Sequence, residues 1–211
     1  ICYGRMGASV QTFGTLTQYL IMLFNMLSGN LNRRGGMMFT QPAADALPHS
    51  GRGTLGKYFS RVRNLPGLAG EYPVAALSEE ITTPGEGQIK AMVIGGGNPV
   101  LTTSNGKQLD KAFEQLDFVV AVDFYVTETS RHADIILPPV TALERDHYDV
   151  VFHNFAVRNS AKFSPALFAQ PAETKTDWQI YLGLAERIDK LNGKATEHYA
   201  ALWHKEPTGV I

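Results

Sequence analysis

The residues best suited to ligand chemistry lie in a glycine-rich turn, Gly95-Gly96-Gly97-Asn98-Pro99, which directly follows an apolar run. Glycines let the backbone approach a ligand closely and adopt dihedral angles that are closed to other residues. The Asn98 side-chain amide can both donate and accept hydrogen bonds, and Pro99 stiffens the exit from the turn. A tight strand-to-helix turn without a ligand would use the same residues, so the turn alone leaves both interpretations open.

An aspartate and several hydroxyl groups follow a second apolar run. Asp123 comes directly after Phe118–Val122, where a carboxylate can accept hydrogen bonds from a purine or ribose edge. The same carboxylate could instead cap a turn at Thr127–Ser130. That stretch resembles a helix start, whose free backbone N–H groups face phosphates, although capping without a ligand explains it equally well. Together with the glycine turn, Asp123 favours a cofactor site.

Other candidate chemistries are weaker or excluded by the sequence. The charged residues between 144 and 149 match no metal-binding spacing and are typical of a solvated loop. Cys2 is the only cysteine, which excludes an internal disulfide and a cysteine-ligated zinc or iron–sulfur site in this chain. No nucleophile-elbow or phosphate-loop lysine motif is present. With a formal net charge of -1, the chain as a whole lacks the excess of basic residues that nucleic-acid-binding proteins usually have.

Short apolar runs and one helical pattern would position the turn and the aspartate. Residues Ala91–Ile94, Phe118–Val122 and Ile135–Leu137 are typical of buried parallel strands. Between the first two, Leu109, Ala112, Phe113 and Leu116 form a helical face, with Thr103 or Ser104 available as its cap. Strand, helix, strand and strand at this spacing predict βαβ units and a mostly parallel sheet.

The flanking segments are less regular. A helix is predicted from Phe13 to Leu27, ending at Gly29-Asn30, and its apolar part is too short to span a bilayer. Ile1–Tyr3 is interpreted as the end of a buried strand, so we expect the chain to be part of a larger protein. Residues 41–87 predict an irregular insertion with one short helix around Leu55–Val62.

The carboxyl-terminal third is predicted to contain one helix and a tail. Residues 150–163 favour a hairpin or an extended loop. A last helix begins at Asp177, with Leu182, Ala185, Ile188 and Leu191 on one face. We expect a single α/β domain over residues 1–191 and a polar tail over residues 192–211.

Read in order, these motifs resemble the molybdopterin oxidoreductase family, which includes formate dehydrogenases, nitrate reductases and dimethyl sulfoxide reductases. The matching segments in the second half are Gly96-Gly97-Asn98-Pro99, Asp123–Thr129, Ala133–Pro138, Glu144, Asn154, Arg158 and Asp177-Trp178. Those in the first part are Tyr3–Gly7, Phe13–Thr15, Gly29-Asn30 and Gly35-Gly36. The resemblance covers about residues 1–190. Each motif is modest, but the ordered set is specific.

The resemblance implies a doubly wound, Rossmann-like α/β sandwich that grips the guanosine end of one pterin dinucleotide. The implied cofactor is bis-(molybdopterin guanine dinucleotide) carrying molybdenum or tungsten, in a cytoplasmic or periplasmic enzyme. The residues implied to contact it are Met6, Gly7, Gly96, Gly97, Asn98, Pro99, Asp123, Thr127, Glu128, Thr129, Arg145 and Asp177. Arg145 stands where some members have lysine, which keeps the charge but changes the geometry.

The sequence also departs from the family pattern. The cysteines of an iron–sulfur region and a ligand to the metal cannot be located here, so we expect an iron–sulfur cluster and the catalytic residues only in other parts of the parent enzyme. The expected partners are those remaining domains and the pterin dinucleotide, without nucleic acid or membrane insertion. Two other interpretations stay open: a homologue that has lost the cofactor, as in respiratory dehydrogenase subunits, and an NAD-binding domain.

Overall fold

A computed structural model describes residues 1–45 and 54–203 of the 211-residue chain. The chain divides into two compact units, Ile1–Ala46 with Asp149–Lys162 and Leu47–Tyr148 with Phe163–Ile211. The single domain over residues 1–191 therefore stays a prediction. The part of the irregular segment at residues 46–53 and the end of the tail from residue 204 lie outside the described residues.

The first unit is built on two helices, α1 (Met6–Ser9) and α2 (Gly14–Leu27). Asn25 is fully buried in α2, and its side chain accepts a hydrogen bond from Cys2 N at 2.8 Å and donates one to Cys2 O at 2.7 Å. The amino-terminal segment is therefore held by a side chain, and the buried strand predicted for Ile1–Tyr3 is wrong. The predicted helix from Phe13 to Leu27 is confirmed.

Among the described residues, the second unit contains all the strands and five α-helices. The strands are β1 (Leu55–Phe59), β2 (Pro66–Leu68), β3 (Ala91–Gly95), β4 (Phe118–Val122), β5 (Ile135–Ile136), β6 (His147–Tyr148) and β7 (Phe163–Ser164). The helices are α3 (Leu77–Thr82), α4 (Pro99–Thr102), α5 (Gly106–Phe113), α6 (Asp177–Leu191) and α7 (Glu197–Trp203).

A parallel sheet in the order β3-β4-β5 forms the centre of the second unit. Ala91 pairs with Phe118 and Gly95 with Val122, so β3 and β4 end at the same edge. The apolar face of α5 packs on this sheet, with Leu109 and Phe113 at 3% and 2% exposure in a cluster that includes Ile94 and Val119. The βαβ unit and the parallel sheet predicted from the sequence are confirmed.

Several local predictions are wrong. The short helix predicted around Leu55–Val62 is instead β1, which pairs antiparallel with β2. Gly56 has φ +70°, a conformation that does not continue a helix. The cap of α5 is Asn105 and not Thr103 or Ser104. In α6 the buried residues are Ile180 and Gly183, which do not lie on the predicted face.

The remaining segments agree in part. The flanks of residues 150–163 form the β6–β7 antiparallel pair, while Phe152–Phe155 is a 3-10 turn. The predicted tail contains α7. Among residues 1–45 and 54–203, no helix combines the length and the apolar character that crossing a bilayer requires.

Candidate functional site

The turn after β3 is tied by hydrogen bonds to the loop after β4. Asn98 Nδ2 donates to Glu128 Oε2 at 2.6 Å, and Asn98 Oδ1 accepts from Thr129 Oγ1 at 2.7 Å. Thr129 Oγ1 in turn accepts from Val100 N at 3.0 Å. The hydrogen bond from Asn98 holds the pKa of Glu128 below its ordinary value. We call this set of contacts the Asn98–Thr129 link.

The link positions the glycine turn. Gly96 N donates to Val122 O at 2.9 Å, so the turn is also tied to the end of β4. Gly96 has φ +55°, a left-handed conformation that favours glycine. A Cβ on Gly97 would meet only ordinary van der Waals contacts, the nearest at 3.8 Å. Packing within the protein therefore does not require glycine at residue 97.

A cleft of about 540 Å³ lies at the carboxyl ends of β3 and β4. Four of the predicted residues line it: Gly96, Asp123, Arg145 and Asp177. They come from the turn after β3, the end of β4, the loop after β5 and the start of α6. This volume is in the range of small-ligand sites, and the carboxyl edge of a parallel sheet is where α/β folds bind ligands.

The charged groups of the cleft keep hydrogen-bonding capacity. Asp123 Oδ1 accepts from Tyr125 N at 3.0 Å, and Asp123 Oδ2 has no protein partner among the described residues. Arg145 donates through one guanidinium nitrogen to Asp177 Oδ1 at 3.2 Å. Its other N–H groups have no acceptor in the described part of the chain. The cleft thus offers two carboxylates and one guanidinium to a ligand that has several donors.

The two aromatic residues of the cleft lining, Phe124 and Tyr181, were not predicted as site residues. Tyr181 lies on α6 one turn after Asp177, and its side chain is 39% exposed. Burial raises the pKa of its hydroxyl, and the charge of Asp177 adds to the rise. Phe124 follows Asp123 and is 50% exposed. The i, i+4 spacing from Asp177 would have indicated Tyr181, because such residues share a helix face.

The structure does not bring all the predicted residues to the cleft lining. Met6 and Gly7 are in α1 of the first unit. Thr129 has no exposed surface, and both functions of its hydroxyl are used inside the protein. Thr127 Oγ1 accepts from Ser130 N at 3.1 Å, so this hydroxyl stabilises its own turn.

Pro99 is the first residue of α4, which follows the glycine turn.

No group of three or more metal-ligating side chains occurs in residues 1–45 and 54–203. The cleft itself presents two carboxylates and one guanidinium, which can hydrogen-bond to an organic ligand with polar edges.

Comparison with known proteins identifies the family. The molybdopterin oxidoreductase family matches residues 4–187. The alpha subunit of F420-dependent formate dehydrogenase 2 from Methanococcus maripaludis is 30% identical over 202 residues, 89% of this chain and 29% of that protein. A dimethyl sulfoxide/trimethylamine N-oxide reductase from Cereibacter sphaeroides is 35% identical over 104 residues, 48% of this chain and 12% of that protein. The chain belongs to the molybdopterin oxidoreductase family.

The match extends over most of this chain but over a minor part of its relatives. The alpha subunit of F420-dependent formate dehydrogenase from Methanocaldococcus jannaschii is 30% identical over 91% of this chain, which is 30% of that protein. The chain therefore spans about three tenths of the length of these formate dehydrogenase subunits. The family resemblance stated from the motifs is confirmed.

Proposed function

We propose that this chain forms the part of a molybdenum- or tungsten-dependent oxidoreductase that holds the guanosine end of one pterin dinucleotide. The observation that carries the proposal is the cleft at the carboxyl edge of the parallel sheet, where Asp123 Oδ2 accepts no hydrogen bond from the described residues. The cofactor would be bis-(molybdopterin guanine dinucleotide), and the metal ligand and any iron–sulfur cluster would belong to other domains. In this assignment the sheet is the centre of a doubly wound α/β layer.

The chemistry of the cleft fits guanine better than adenine. Guanine presents two neighbouring donors, N1–H and the N2 amino group, and a carboxylate can accept both. Adenine presents one donor beside an acceptor, which would face the same carboxylate unfavourably. Asp123 is therefore assigned to the guanine edge, and Phe124 supplies an exposed ring on which a base can stack.

The glycine turn and Arg145 are assigned to the rest of the nucleotide. Gly97 carries no side chain at a position where the fold would accept one, which suits close approach of a ribose or phosphate. Arg145 has free N–H groups for a phosphate oxygen. Asn98, Glu128 and Thr129 act indirectly, since the Asn98–Thr129 link fixes the shape of the turn.

The test is titration of the 211-residue chain with GDP and ADP, before and after Asp123→Asn. We expect selective binding of GDP and a loss of about 10- to 100-fold in its affinity, because a charged hydrogen bond contributes about 1.5–3 kcal/mol. Asp117→Asn is the matched control. Asp117 is exposed just before the opposite end of β4, and its side chain makes no hydrogen bond within the described residues.

Three outcomes would count against the proposal. Equal affinity for ADP and GDP would refute the assignment of Asp123 to the N1–H and N2 donors of guanine. An unchanged GDP affinity in Asp123→Asn would remove the role of this carboxylate. Binding of NADH in place of GDP would favour an NAD-binding domain, and binding of none of these nucleotides would favour a homologue without cofactor.

A further inference from the structure

Tyr181 occupies a position that depends on a glycine of the turn. A Cβ built on Gly95 would lie 2.2 Å from Tyr181 Oη and 3.2 Å from Tyr181 Cζ. The tyrosine hydroxyl therefore lies directly against the last residue of β3. The hydroxyl of Tyr181 takes the space that a side chain at residue 95 would need, so Gly95 has a packing role within the cleft wall.

The hydroxyl of Tyr181 has no hydrogen-bond partner in the part of the chain that the structure describes. The ring is partly covered and lines the cleft beside Asp177. A tyrosine that only filled space would not need this hydroxyl at the end of a strand. Because Tyr181 is 39% exposed and lines the cleft, its hydroxyl is accessible to a ligand there.

We propose that Tyr181 is a specificity-determining residue, whose hydroxyl donates a hydrogen bond to O6 of the bound guanine. This inference rests on the proposed function. The carboxylate of Asp123 accepts from N1 and N2 of guanine, and O6 is the acceptor that remains on the same edge. A neutral hydroxyl beside the carboxylates supplies the matching donor, and together they read the full donor–donor–acceptor pattern of guanine.

The experiment measures the affinities of wild-type chain and Tyr181→Phe for GDP and for 6-thio-GDP. The sulfur of 6-thio-GDP is a weaker acceptor than oxygen, but the N1 and N2 donors are kept. We expect Tyr181→Phe to lose about 10-fold in GDP affinity, because a ligand acceptor is left unpaired, and at most about 3-fold in 6-thio-GDP affinity. Tyr72→Phe, at an exposed tyrosine of the second unit, is the control that leaves both affinities unchanged.

A second variant tests the geometry. Gly95→Ala places a methyl group against Tyr181 Oη, so it should lower GDP affinity in the wild type. The same change should add little in Tyr181→Phe, because the nearest atom is then at 3.2 Å. Equal losses for GDP and 6-thio-GDP, or fully additive effects of the two substitutions, would overturn the inference.

Failure of this inference and failure of the proposed function give different results. If wild type binds GDP and Asp123→Asn does not, the proposed function stands, and an unchanged affinity in Tyr181→Phe overturns only the role of Tyr181. If wild type binds no guanine nucleotide, both fall together.

Discussion

Replacing Thr129 with valine tests whether the turn after β3 depends on the loop after β4. Valine has nearly the shape of threonine, so the change removes the hydroxyl and leaves little cavity. Thr129 has 0% exposure, and its hydroxyl bonds to Val100 N and Asn98 Oδ1 at 3.0 Å and 2.7 Å. Both partners lose a hydrogen bond, and the added methyl group excludes water from the place of the hydroxyl.

The expected loss in the free energy of unfolding follows from the two groups that lose a hydrogen bond, Val100 N–H and Asn98 Oδ1. Val100 N belongs to the first turn of α4, where backbone N–H groups have no partner in the helix. Leaving a covered N–H unpaired costs about 1–3 kcal/mol, whereas half-buried Asn98 regains part of its loss from water. We expect Thr129→Val to lower the free energy of unfolding by about 2–3 kcal/mol. That equals a decrease of about 1 M in the urea midpoint for a slope of about 2–3 kcal/mol per M.

Urea unfolding followed by tryptophan fluorescence suits this measurement. The chain has two tryptophans, Trp178 and Trp203, and both lie in the second unit with Thr129. The matched control is Thr54→Val, at an exposed threonine of the second unit that makes no side-chain hydrogen bond in the described residues. If Thr129→Val shifts the midpoint no more than Thr54→Val does, the hydrogen bonds of the Asn98–Thr129 link contribute nothing measurable and the reasoning is refuted.

Two further predictions concern α5. Gly106→Ala should lower the free energy of unfolding by about 3 kcal/mol, because its Cβ would lie 2.0 Å from the backbone oxygen of Val100. Gly97→Ala, in the same unit and with no atom nearer than 3.8 Å to the new Cβ, should be nearly neutral in the same urea assay, and equal effects would contradict the prediction. Hydrogen bonds from Arg131 and the adjacent histidine hold the pKa of Asp110 below its ordinary value of 3.8. The ionised carboxylate therefore stabilises the folded state above pH 3.8, and this contribution is lost as the pH falls through the lowered pKa. Asp110→Asn should consequently lose less stability than the wild type below about pH 4. An unchanged dependence of stability on pH would contradict this prediction.

The centre of the fold could be predicted because its signals are local. The apolar runs at Ala91–Ile94 and Phe118–Val122 end at glycine and aspartate, and buried strands of a parallel sheet have this pattern. The spacing of Leu109, Ala112 and Phe113 also defines one helix face unambiguously. In these segments, the residues that form each element also contain the evidence for it.

The missed elements depend on distant partners. β1 exists because it pairs with β2, and nothing within Leu55–Phe59 reveals that partner. Both sides of α6 carry apolar residues, so periodicity could not decide which side is buried. A Cβ built on Gly183 would lie 3.5 Å from the ring of Trp203 in α7. This packing could not be predicted from α6 alone, because it depends on α7.

The candidate site was predicted in part for the same reason. The residues that directly end strands, Gly96 and Asp123, follow from chain order, because the ends of parallel strands meet at one edge. The spacing from Asp177 could have indicated Tyr181, but not its contact with Gly95, which is 86 positions earlier in the chain. Within the glycine motif, packing against Tyr181 requires Gly95, whereas no neighbouring atom requires glycine at residue 97.

The Asn98–Thr129 link has a consequence for the rate at which a nucleotide is captured. Because hydrogen bonds within the protein already fix the turn, few residues around the cleft have to become ordered when a ligand binds. Association should therefore proceed without a slow rearrangement, at a rate set by diffusion and orientation. Substitutions at the cleft would then act mainly on dissociation, so that the residence time of the nucleotide records the quality of its contacts.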